Sequence, residues 1–179
     1  MKNIPIRAVS GLLLALGLAA CGGGDGTTTT PAPTGGGSGG SGGTLTLSAS
    51  APTVHDGTLG LATATASGNN ARAADGFSAV AYCELFWENV TSSNGDKYAV
   101  QVYFRQDDKQ VIHTSVVALT GWSVFNNNSG APITGVAVDT TTKTLTYTAK
   151  VLNGADTETT TVNGTTSFPA NATVAACGA

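Results

Sequence analysis

The sequence predicts an all-β, antiparallel domain: a β-sandwich or partly open barrel of about eight short strands, set behind a disordered tether. Three observations carry this. Apolar and polar residues alternate with a period of two through most of the second half of the chain. Thr, Val, Tyr and Phe, which suit a pleated surface, fill those stretches. Gly-, Asn- and Asp-containing turn signals recur every ten or so residues. No segment after the first twenty residues has a helical period.

The domain is expected over residues 44–179, opening with Thr44-Leu45-Thr46-Leu47-Ser48. Gly60–Ala66 alternates weakly, His55-Asp56-Gly57 reads as a turn, and Ser67–Arg72 reads as a loop by composition. Phe77–Val90 is the strongest strand, with Cys83, Leu85 and Trp87 on one face and Tyr82, Glu84, Phe86 and Glu88 on the other. Asn94-Gly95 turns it, since both residues tolerate positive φ. Lys97–Gln106 returns with Tyr98, Val100, Val102 and Phe104 on its buried face, and Asp107-Asp108-Lys109 leads into Gln110–Leu119. After a loop at Asn126–Gly130, Ile133–Asp139 and Lys143–Leu152 form a hairpin around Thr140–Thr142. There Val136 and Val138 are expected to face Leu145, Tyr147, Ala149 and Val151. Asn153–Asp156 and Asn163-Gly164 are read as turns, separating strands at Thr157–Val162, Thr165–Phe168 and Val174–Cys177. Immunoglobulin spacing fits poorly, because Trp87 follows Cys83 by four residues and the cysteines lie far apart.

Residues 1–20 form a secretory leader: Lys2 and Arg7, an apolar core at Gly11–Ala20, and small residues before the cut. The core is shorter than the roughly 20 residues a bilayer span needs. Ending in Leu18-Ala19-Ala20-Cys21, it resembles the lipobox of bacterial lipoproteins. The resemblance implies cleavage before Cys21 and lipid (palmitate and related acyl chains) on that residue, and Gly22 in place of aspartate implies the outer membrane, on the periplasmic side or the cell surface. Residues 21–43 then carry the lipidated Cys and a Gly/Ser/Thr/Pro tether. It lacks apolar residues to bury and is expected to be disordered, with an r.m.s. reach of about 25 Å. Matches to G-x-S-x-G and G-x-G-x-x-G inside it lack the strand–turn–helix setting those motifs require.

Removing Lys2 and Arg7 with the leader takes the net charge from −3 to −5. A sparsely charged acidic chain with scattered basic residues argues against nucleic acid as a partner. With Cys21 lipidated, Cys83 and Cys177 remain, and an even pair in an oxidising compartment reads as a disulfide. A metal site, which lacks nearby His or Cys partners, and a free thiol pair are the alternatives.

No catalytic residue, metal site or cofactor is assigned. His113 near Asp107 and Asp108 has the ingredients of a general base, yet alternation along a strand does not force contact. Glu84 and Glu88 read as a solvated strand face, too far apart for a glycosidase pair. The candidate ligand-binding residues are the aromatics Tyr82, Phe86, Tyr103 and Trp122, placed away from the clearest core rows. The reading is a non-enzymatic outer-membrane lipoprotein, a binding or envelope-interaction module whose partners are the membrane through its anchor and an envelope protein or glycan. A secreted hydrolase using His113 and an accessory subunit joined through an edge strand are the alternatives.

Overall fold

The computed structural model describes residues 42–128 and 132–179. The leader, Cys21 and the tether up to residue 41 lie outside the described residues, as do Ser129 and Gly130 of the Asn126–Gly130 stretch and the residue after them.

Ten strands make one antiparallel sheet among the described residues: β1 (Thr44–Ala51), β2 (Gly57–Gly60), β3 (Ala66–Arg72), β4 (Tyr82–Ser92), β5 (Lys97–Arg105), β6 (Val111–Ala118), β7 (Val124–Asn128), β8 (Val136–Asp139), β9 (Thr144–Asn153) and β10 (Thr159–Ser167). Eight of them close into a barrel in the order β1-β2-β4-β5-β6-β7-β9-β10, and β10 pairs with both β9 and β1. Each barrel strand neighbours the next one along the chain, so the path is a continuous up-and-down meander. β3 continues β2 along the same edge of β4, and β8 continues β7 along the same edge of β9. The two halves, β1–β5 and β6–β10, therefore run through the same series: a strand, a broken strand, a long bulged strand and a return.

The inside is solid. Leu45, Leu47, Leu59, Leu85, Trp87, Tyr98, Val100, Val102, Phe104, Phe125, Leu145 and Leu152 are essentially without solvent contact. Each such side chain contributes roughly 1.5–3 kcal/mol through burial. Two pairs of inward hydroxyls bond to each other, whereas the Trp87 indole N–H is buried without a partner among the described residues. The Thr114 and Tyr147 hydroxyls meet at 2.6 Å, and those of Ser50 and Thr160 at 2.8 Å.

Three bulges built on a left-handed residue shape which side chains reach this interior, and a fourth register shift lies in β6 at Ile112. Ala49, Asn89 and Ala149 sit at φ +50°, +53° and +44°, each at a register shift. An extra residue at each point reverses the alternation. Ser50 replaces Ala49 as the inward residue of β1, and Val90 follows Trp87 inward on β4. On β9 the correction is larger: Ala149 and Val151 face solvent, while Lys150 and Leu152 turn inward. Asn163-Gly164, read as a turn, lies within the single strand β10 opposite this bulge, and Asn163 Oδ1 accepts the Ala149 amide at 2.7 Å.

Other boundaries also move. Ser67–Arg72 is strand, because β4 supplies a ladder partner to residues of low strand propensity. Asn126–Asn128 belongs to β7 for the same reason. Phe77 lies in the β3–β4 loop, where the Asp75 carboxylate accepts the Phe77 amide at 2.8 Å. Ala175–Cys177 is a 3-10 turn, not a strand.

The two barrel ends differ. The chain enters at the start of β1 and leaves after β10 at one end. There Cys83 and Cys177 form a disulfide across 94 residues, and Phe168 packs on Phe104. The Asn69 amide donates to the Cys177 carbonyl at 2.7 Å, holding the C-terminal segment against β3. Four tight connections, after β1, β4, β6 and β9, gather at the opposite end.

Two outcomes follow in urea denaturation. Cys177→Ser should lower stability by up to about 4–5 kcal/mol, the chain-entropy value for a loop of this length. Gly164→Ala should cost about 2–4 kcal/mol, since its Cβ would strike the Thr44 carbonyl at φ +131°.

Candidate functional site

The turn end of the barrel carries the most conspicuous surface. A hollow of about 530 Å³ opens between the β6–β7 and β9–β10 connections, lined by Trp122, Val124, Asn126, Gly154 and Glu158 among others. Trp122 is 75% exposed and Val124 41% exposed, and Val54, in the 3-10 turn after β1, is 60% exposed. Gly121 and Trp122 stand at φ +81° and +57°, so the β6–β7 turn places an indole where Gly or Asn is at ease. Beneath the hollow lies Phe125, fully buried. His55 closes the floor behind it, its ring edge-on to Phe125 at 5.1 Å and its Nδ1 3.3 Å from the Tyr98 hydroxyl. Gly154 leaves room for the Glu158 carboxylate: a Cβ there would lie 2.9 Å from Glu158 Oε2 and 3.3 Å from the Phe125 ring. The Glu158 backbone is tied down by Gly154 N–H donating to its carbonyl at 2.8 Å.

A second aromatic group covers the outer face of β4, β5 and β6 toward the disulfide end. Cross-strand pairing aligns Glu84, Tyr103 and His113 in one row. The β3–β4 loop folds over them and lays Phe77 against Tyr82, Tyr103 and His113, with ring centroids 5.9, 5.1 and 5.9 Å apart. The Tyr82 hydroxyl donates to Asp75 at 3.0 Å, and hydrogen bonds from the Phe77 amide and from Tyr82 hold the Asp75 carboxyl below its ordinary range. Glu84 is buried rather than solvated. It accepts from Arg72 Nε at 2.8 Å and Gln101 Nε2 at 2.7 Å. Burial and the Glu84 carboxylate push the Tyr103 phenol up to about 12. This is a packed satellite cluster, in which Asp75, Tyr82 and Glu84 are held by hydrogen bonds within it and to its neighbours.

The four candidate aromatics thus do not gather. Tyr82 and Tyr103 join the cluster, their centroids 5.3 Å apart. Phe86 lies lower on the same face, seated over Gly68, beside a groove of about 130 Å³ that also borders Gln101 and Ser115. Trp122 alone stands over the large hollow. Its lining comes from two hairpins: Asn126 from β7, next to the Trp122 turn, and Gly154 and Glu158 from the β9–β10 connection further along the chain. His113 stacks on Tyr103 at 4.8 Å, and its Nδ1 is buried without a hydrogen-bond partner among the described residues. Asp107 and Asp108 turn to Arg105 instead.

Burial pushes the His113 ring below its ordinary value, against a weaker opposing pull from Glu84. The unfolded chain then binds a proton near pH 6.5 that the folded chain resists, so stability rises with pH in that window. Melting temperature should therefore be highest above pH 6.5 and fall as pH drops toward 5. His113→Phe should flatten that part of the profile, measured by circular dichroism.

No family model, no curated protein and no solved structure matches this chain.

Proposed function

We propose that the protein is a non-enzymatic, lipid-anchored binding module of the bacterial outer membrane, which recognises its partner at the turn end of the barrel. One observation carries the reading: the hollow under Trp122 lies at the end opposite to where the chain enters. A domain tethered through Cys21 would present that end away from the lipid. Three further features support it. The interior is filled by side chains, which leaves the outside for recognition. Three exposed apolar side chains, Val54, Trp122 and Val124, stand at or beside the turn end. The other end is taken up by the disulfide and the C-terminal segment. The lipobox supplies location, the tether supplies reach, and the barrel holds the contact residues rigid.

Labelled palmitate should enter the wild-type protein in cells, and Cys21→Ser should abolish labelling and shift the protein out of the membrane fraction. A photo-crosslinking residue at Val54 or Val124 should capture an envelope component in cells, whereas one at Val174 should not. Equal membrane association of Cys21→Ser, or capture from neither turn-end position, would overturn the reading.

A further inference from the structure

We infer that the hollow beneath Trp122 is a carbohydrate subsite that takes a neutral pyranose ring, an inference resting on the binding role just proposed. The chemistry of the lining selects this ligand by elimination and by fit. No Lys, Arg or His lines the hollow, while Glu158 does, so an anionic ligand would meet an uncompensated carboxylate. A wholly apolar ligand would strip water from Glu158 and Asn126 and return no hydrogen bonds. A quaternary or primary ammonium would favour Glu158, but cation recognition of this kind uses several aromatic rings as a cage, and one aromatic lines this site. The hollow, about 530 Å³, also falls in the roughly 300–1,000 Å³ range of small-molecule sites, far more than an ammonium head fills.

A pyranose satisfies each element. Its apolar C–H face can lie on an indole, its hydroxyls donate to the Glu158 carboxylate, and the Asn126 amide both donates and accepts. The open shape leaves the ring free to continue into a neighbouring sugar.

The backbone is the independent observation. Trp122 holds φ +57° with three quarters of its surface in water. A bulky residue in the left-handed region is strained, and here burial returns almost nothing for it. An indole kept at such a position serves something outside the fold. Relieving it should leave the barrel intact.

The test uses the mature chain in detergent with maltohexaose, cellohexaose and chitohexaose as probes, followed by calorimetric titration and indole fluorescence. Trp87 is fully buried, so a fluorescence change reports Trp122. At least one hexasaccharide should bind saturably and shift the emission. Trp122→Gly should weaken that binding at least tenfold with a melting temperature unchanged or raised, Trp122→Phe should recover most of it, and Glu158→Gln should weaken it several-fold. Failure of all three hexasaccharides to bind, unchanged affinity in Trp122→Gly, or preference for choline over every sugar would overturn the inference. Turn-end crosslinks in cells without sugar binding would refute the subsite and leave the binding role standing; loss of both would refute both.

Discussion

Closure of the sheet through β10 governs the rest of the structure. That strand hydrogen-bonds to β1 along one edge and to β9 along the other, so every barrel strand has two neighbours. Closure removes free ladder edges from these eight strands, while β3 and β8, each with one partner, keep an open edge. It also divides the side chains sharply into an inside and an outside. An eight-stranded barrel is narrow enough for side chains to fill, and Trp87, Tyr98, Phe104, Phe125 and Tyr147 do so here. A filled interior leaves only the outer surface and the ends of the barrel for contact with a partner.

Closure requires strands to bend, and the bulges at Ala49, Asn89 and Ala149 supply that bending. Each places a non-glycine residue in the left-handed region, at a cost on the order of 1 kcal/mol. What offsets the cost is phase: after each bulge the large apolar residues return to the interior. Val90 after Asn89 and Leu152 after Ala149 are both fully buried as a result. The recurrence of a bulged strand beside a broken one in both halves, β4 with β2 and β3, then β9 with β7 and β8, suggests that one bending device was used twice.

Stability and exposure are separated along the barrel axis. At the end where the chain enters and leaves, a disulfide, an Asn69–Cys177 hydrogen bond and the Lys109 amine on the Ala176 carbonyl at 3.0 Å hold the C-terminal segment. At the turn end, short connections carry exposed apolar side chains over a floor of buried aromatic rings. A rigid floor with a strained indole above it is a surface prepared in advance, so little ordering would be needed on contact.

Local chemistry in the sequence was enough to determine the all-β class, the inward rows Cys83-Leu85-Trp87 and Tyr98-Val100-Val102-Phe104, and the tight turns at Asn94-Gly95 and Asp107–Lys109, and it favoured the Cys83–Cys177 pairing that the structure shows. Each follows from two-residue periodicity, turn propensity or cysteine arithmetic, which act within a few residues or need no geometry. Tertiary structure alone decided closure, the strand identity of Ser67–Arg72, the burial of Glu84 under Arg72 and Gln101, and the inward turn of Lys150 and Leu152. Strand partners tens of residues away supply those ladders and bulges, and composition carries no record of them. The candidate site divides the same way. Trp122 was legible as an aromatic beside a polar loop, but its hollow was not, because Gly154 and Glu158 reach it only when β7 pairs with β9 and brings the two connections together.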